Sequence, residues 1–255
     1  MWKRWILALL LLVGPLGAQE VEPQASPSET QPIITDRPDQ AESPYTVGSG
    51  RFQIESGLLY ERSRGGDEFF ATPTLLRIGT GPNTELRVES DFLTAAQGVT
   101  GLSDASLGAK VNLADEDWGA IALLGRVNLP SGTGPLAGNA VVPELALLTT
   151  FPLNDRMAIA VSLQGGVPED EAGGGRYLQG FFATSVGYSL TDELGMFVEC
   201  FGSGPDGTNG PFELAMDGGF TYLLNEDMQI DLAVLKGMSG SGLDWGMTVG
   251  ISARY

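Results

Sequence analysis

Residues Trp245-Gly246-Met247-Thr248-Val249-Gly250-Ile251-Ser252-Ala253-Arg254-Tyr255 carry an apolar side chain at every odd position and Gly, Thr, Ser or Arg at every even one. A strict period of two puts the two sets on opposite faces of an extended strand, apolar on one side and polar or small on the other. Two architectures use such a strand. A sandwich buries the apolar face and wets the polar one, whereas a membrane barrel turns the apolar face to lipid and the polar face to a lumen. The rest of the chain decides between them.

The same alternation recurs in twelve segments, over residues 50–62, 68–79, 84–94, 102–113, 118–129, 141–151, 156–167, 177–190, 193–202, 211–224, 227–237 and 244–255. Each approaches or exceeds the roughly 9 to 11 residues that a tilted strand needs to cross a bilayer. The set read as lipid-facing includes Phe52, Leu58, Leu86, Val88, Leu107, Leu145, Val161, Val198, Phe220, Leu232 and Val249, and no charge interrupts it before Lys236, at a strand end. The intervening positions carry Glu55, Glu85, Arg87, Glu89, Asp91, Lys110, Arg126, Glu144, Glu199, Glu213, Asp217 and Asp231.

The connections separate barrel from sandwich. Even-to-odd links are short and turn-like, as at Gly81-Pro82-Asn83, Asn154-Asp155 and Asn225-Glu226. Odd-to-even links are mostly longer and Gly-rich, around residues 63–67, 95–101, 130–140, 168–176, 203–210 and 238–243. Regular short-long alternation belongs to a barrel with tight periplasmic turns and extracellular loops; Greek-key crossings do not produce it. The fold expected is therefore an all-β antiparallel transmembrane barrel of about twelve strands. Tyr60, Phe70, Phe212 and Trp245 near one end of their strands, and Phe52, Phe151, Tyr188, Tyr222 and Tyr255 near the other, read as two aromatic girdles. In such a barrel 245–255 is the final strand, with Trp245, Met247, Val249, Ile251 and Tyr255 as the insertion signal for the barrel-assembly machinery.

Composition narrows the chemistry. The chain has no His and a single Cys, Cys200, so Ser-His-Asp triads, His-ligated metal sites and internal disulfides are excluded. An enzyme is not expected, nor a cofactor or a metal; an outer-membrane hydrolase would have to work with carboxylates alone. Residues 1–18 have Lys3 and Arg4, an apolar run at 5–13 and a small-residue end at Gly17-Ala18, the layout of a cleavable signal peptide that exports the chain across the inner membrane. The formal charge is −18, which argues against nucleic acid as a partner. Glu169, Glu171 and Asp206 in the long loops read as solvated charge, because the twelve-residue calcium-loop pattern is absent.

Residues 19–34, rich in Pro, Ser, Glu and Gln, are expected to be disordered or loosely docked on the periplasmic side. Residues 35–49 form a further segment ahead of the 50–255 barrel. Within it, Thr35-Asp36-Arg37-Pro38-Asp39…Glu42-Ser43-Pro44, followed by Gly50-Arg51-Phe52-Gln53-Ile54-Glu55-Ser56-Gly57, resembles the start of the family named for the MetA pathway of phenol degradation. Gly101-Leu102-Ser103-Asp104-Ala105-Ser106, Asn128-Leu129-Pro130-Ser131-Gly132, Pro143-Glu144-Leu145 and Asp217-Gly218-Gly219-Phe220 are similar to its recurring segments. The resemblance implies a transporter-like outer-membrane barrel that passes small hydrophobic or aromatic solutes.

Twelve strands leave a lumen between the filled interior of about eight and the open channel of 16 or more. A short segment can block it. Residues 35–44 are placed to dock there, with Asp36, Arg37, Asp39 and Glu42 against the wall charges and Arg37 expected to meet wall acids such as Glu85, Glu89, Asp91 or Glu199. The alternative is a surface turn in which Asp36, Arg37 and Asp39 neutralise one another. At the level of function, passage of a small solute stands against a closed structural or adhesive barrel.

Overall fold

Twelve strands make one antiparallel sheet that closes on itself. The computed structural model describes residues 31–170, 174–205, 207–208, 210–240 and 242–255. The leader at 1–18, residues 19–30, Glu171 and Asp206 lie outside them.

In chain order the strands are β1 (Phe52–Ser63), β2 (Glu68–Ala71 with Thr74–Gly81), β3 (Thr84–Ser90 with Leu93–Ala96), β4 (Val99–Leu102 with Ala105–Glu116), β5 (Gly119–Leu129) and β6 (Val142–Asn154). They continue as β7 (Met157–Gly166), β8 (Gln179–Ser189), β9 (Leu194–Gly204), β10 (Glu213–Asn225), β11 (Met228–Gly237) and β12 (Leu243–Arg254). Each pairs with its neighbours in sequence, and β12 pairs with β1 from Gln53↔Arg254 to Arg62↔Trp245, which leaves no open edge.

Exposure is inverted relative to a water-soluble core. Leu58, Leu145, Leu163, Val198 and Val249 are about half exposed, while Glu55, Arg77, Glu85, Lys110 and Glu199 are 0–1% exposed. Only a non-aqueous solvent around the barrel makes that arrangement favourable, since ionised groups in a dry wall need partners whereas apolar ones in lipid do not. Aromatic pairs mark both rims: Phe52 stacks on Tyr255 at 5.0 Å at the short-turn rim, and Tyr60 lies 5.3 Å from Trp245 near the other.

Irregularities cluster by height. Four register shifts, at Gly79/Gly81, Asn112/Ala114, Met157/Ala158 and Leu223/Asn225, lie beside short turns, where bulges close the hairpins, and a fifth, at Arg62/Ser63, lies at the loop rim. At mid-height β2, β3 and β4 are interrupted side by side. Pro73 has no N–H to give the ladder, Phe92 has φ 48°, and Thr72 N donates to both Asp91 O and Leu93 O across the break. The outer portions of these strands end in a two-residue turn at Gln97-Gly98 with both φ positive (49° and 79°), as a tight hairpin requires. That corrects the long loop expected at 95–101: Gln97 supplies the left-handed conformation without a turn signature of its own.

Residues 31–34 dock at the short-turn rim. Ile33 is 4% exposed, its N–H donates to Glu226 O at 2.7 Å, and Arg254 donates to Gln31 O at 2.7 Å. One apolar side chain and a few backbone partners at the rim outweigh the polar composition around them. Two of the family-like motifs, 101–106 and 128–132, meet at Asp104. Its carboxylate accepts from Ser131 N (3.0 Å) and Gly132 N (2.7 Å), and from Gly138 N (2.8 Å), tying the 130–141 loop over β4.

Candidate functional site

Residues 35–49 run inside the barrel, and most of their polar groups are bonded to the wall. Asp36 is the hub. Its Oδ2 accepts from Arg87 Nη1 at 2.6 Å and Lys110 Nζ at 3.3 Å and lies 3.7 Å from Arg77 Nη1, while Oδ1 accepts from Ser43 N at 2.8 Å. Burial works against ionisation, but Arg77, Lys110 and Arg87 outweigh it and hold the Asp36 carboxyl well below the usual carboxylate range. Beneath this hub Arg77 Nε donates to Glu85 at 3.0 Å and Nη1 to Glu55 at 3.2 Å. Lys110 donates to Ser43 O, Arg77 to Tyr45 O, and Val47 N to Glu85.

Two further attachments fix the segment at residues 40–42. Glu42 bonds Arg126, which donates to Glu89 at 2.8 Å; burial opposes ionisation of Glu42, yet Arg87 and Arg126 leave its carboxyl below its ordinary value. Glu199 on β9 accepts from Gln40 N at 2.6 Å and Ala41 N at 2.8 Å. Asp39 stands near Glu199 without a base, and burial followed by the Glu199 charge pushes its carboxyl well up.

Arg37 reaches Asp231 (3.1 Å) and Thr248 Oγ1 (2.8 Å), on β11 and β12. This differs from the partners expected from sequence, because Glu85 and Glu89 are already bound by Arg77, Arg87 and Arg126 and Glu199 by the backbone of the segment. Asp91 stands apart, exposed at the strand break. The remaining expected positions, Asp36, Asp39, Glu42, Glu55, Glu85, Arg87, Glu89, Lys110, Arg126 and Glu199, all come together in the lumen. Arg77, the best-connected wall base, has the same inward parity as Glu55 and Arg87 but was hidden between Leu76 and Ile78 in a stretch that reads as apolar. Phe69, Phe197 and Phe201 are also inward-facing, since their neighbours Phe70 and Val198 face lipid.

The geometry defines a twelve-stranded barrel of outer-membrane type whose lumen is obstructed by the segment preceding its first strand. The chain belongs to the family described as MetA-pathway of phenol degradation, which it matches over residues 35–255. The fold is similar to an outer membrane channel from Pseudomonas putida F1, with TM-score 0.66 and 11% identity over 88% of this chain and 100% of that one. It is similar as well to KdgM porin (TM-score 0.55, 12% identity, 78% of this chain and 98% of that one) and NanC porin (0.56, 10%, 79% and 98%). At these identities the likeness is one of fold. No curated protein matches the chain in sequence.

Proposed function

We propose that the protein is an outer-membrane channel for small solutes with apolar or aromatic bodies, closed at rest by residues 35–49. The observation that carries this reading is the way the lumen is blocked. The obstruction is held to the wall by hydrogen bonds and ion pairs rather than by a packed apolar core, so it exchanges for water and wall partners when it leaves. Cavities remain on both sides of it: one of about 350 Å³ at the loop end, lined by Phe69 and Phe201, and one of about 460 Å³ at the short-turn end, lined by Asp39, Ser185 and Phe197. Export through a cleaved leader and insertion by the barrel-assembly machinery through residues 245–255 complete the reading.

Planar-bilayer recordings of the refolded chain and of a variant lacking residues 35–44 test it. A low conductance that rises on deletion, and that aromatic solutes reduce by occupying the lumen, is the expected result. Conductance unchanged by the deletion overturns the gate, and a barrel silent in both forms supports a closed structural role instead.

A further inference from the structure

The charges of the lumen are divided by side. The wall bases Arg77, Arg87, Lys110 and Arg126 stand on β2–β5, and each is engaged by carboxylates. Strands β6 to β10 contain no Lys or Arg at all. On that side Glu199 and Asp217 are directly paired across β9 and β10, with Asp39 of the internal segment facing them, Ser185 of β8 beside Asp39, and no base among them.

Asp217 is the anomaly. It is 5% exposed, and neither carboxylate oxygen has a hydrogen-bond partner among the described residues. A buried carboxylate without a donor is costly, and the group facing it, Glu199, is itself an acid that can satisfy Asp217 only by sharing a proton with it. Among the described residues no three acidic side chains are grouped closely enough to hold a metal ion. The arrangement suits a larger cation whose donors point in several directions.

What stands above these acids is aromatic. Phe201 lies two residues from Glu199 on β9 and is paired with Ala215, which puts Glu213 and Asp217 at its two diagonal positions on β10. Same-face diagonal neighbours are roughly 7–8 Å apart, within reach of an aromatic ring. Phe201 and Phe69 line the cavity of about 350 Å³ at the loop end together with Glu61 and Glu213. Arg62 lines the same cavity, but it is exposed at the rim.

From this we infer that the β9–β10 face binds amphipathic organic cations: an ammonium group seated on Asp217, with the Glu199 charge beside it and an apolar or aromatic body against Phe201. An ammonium supplies the missing donors to Asp217, and an aromatic face below the loops favours the same cation on its way in. The inference rests on the channel reading and names its solute class.

Calorimetric titration of the full refolded chain in detergent at neutral pH tests it, using 2-phenylethylamine against its neutral and anionic counterparts, 2-phenylethanol and phenylacetate. The amine is expected to bind at least about tenfold more tightly than either, and Asp217→Asn to weaken it by at least about tenfold. Glu199→Gln serves as a second variant, and heat-modifiable mobility in gels reports that each barrel is folded. Absence of amine binding, equal binding of the alcohol, or an affinity unchanged in a folded Asp217→Asn barrel overturns the site. None of those results touches the channel reading, whose deletion test measures ion passage without any amine.

Discussion

Gly57 and Gly250 face one another across the seam that closes the barrel, paired between β1 and β12, and the guanidinium of Arg37 lies on both. A Cβ at either position would collide with the Arg37 side chain and, at Gly57, with the Val249 carbonyl as well. These glycines are therefore a groove, not flexible points in a strand. Arg37 crosses them to reach Thr248 and Asp231.

Gly250→Val fills the groove from the wall and should displace Arg37 without touching any of its hydrogen-bond partners. The expected outcome is a channel that opens more often in planar bilayers, with Arg37→Ala giving the same phenotype and the double variant adding little. Closure as complete as in the parent chain would show that the Arg37 anchor is dispensable.

Asp36 is shared by three wall bases, with its side chain 3% exposed. Removing one partner of a buried ionic group typically costs about 3–5 kcal/mol, because the remaining charges stay buried. Asp36→Asn keeps the volume and removes the charge, so it should raise the open fraction by more than about a hundredfold, which corresponds to roughly 3 kcal/mol. Single-channel open probability measures this directly, and a change of only severalfold would mean that Glu85, Glu55 and Glu42 compensate the bases unaided.

Acidity should tighten the obstruction. Burial, then the Glu199 charge, raises the Asp39 carboxyl when the segment is docked, so the docked state binds the proton more tightly than the released one. Docking is then strongest below the ordinary Asp value near 3.9, and this contribution fades as pH rises toward the raised docked value. Asp36 and Glu42 are shifted the other way and weaken docking only below about pH 4. Above that, conductance should climb with pH, and Asp39→Asn should flatten the climb. The groups facing Asp39 are Glu199, Asp217, Ser185 and Asp36. A pH-independent parent channel would refute the assignment.

The wall was legible in the sequence and the contacts inside it were not, for a physical reason. Strand parity fixes which face a side chain takes, so the apolar positions from Phe52 to Tyr255 and the inward acids could be assigned from alternation alone. Parity says nothing about reach across a lumen. Arg37 and Asp231 are 194 residues apart, and only the closure of β12 on β1 brings them together. Arg77 and Phe201 share the parity of the inward set, but a lone Arg among apolar residues and a Phe beside Cys200 carry no local signal of a lumen position. The interruption at Pro73, Phe92 and Asp104 was likewise hidden, because Pro73 announces a break in one strand and not in the two beside it.

The lipid assignment of the terminal strand makes the last prediction. Val249 is about half exposed and sits between Leu58 and Leu232 on the neighbouring strands, midway between the aromatic rims. If that face meets hydrocarbon, Val249→Arg should destabilise the folded barrel in vesicles by about 2–4 kcal/mol, the cost of an arginine at the bilayer midplane. Tyr255→Arg, at the rim beside Phe52, should cost about 0–1 kcal/mol by the same depth dependence. Urea titration of the barrel refolded into lipid vesicles gives both numbers. Equal costs at the two positions would remove the depth gradient and with it the placement of this strand across the membrane. A steep difference fixes Val249 at the centre and Tyr255 at the water boundary, and the Arg37 groove at Gly250, one residue further along β12, then lies near the middle of the membrane as well.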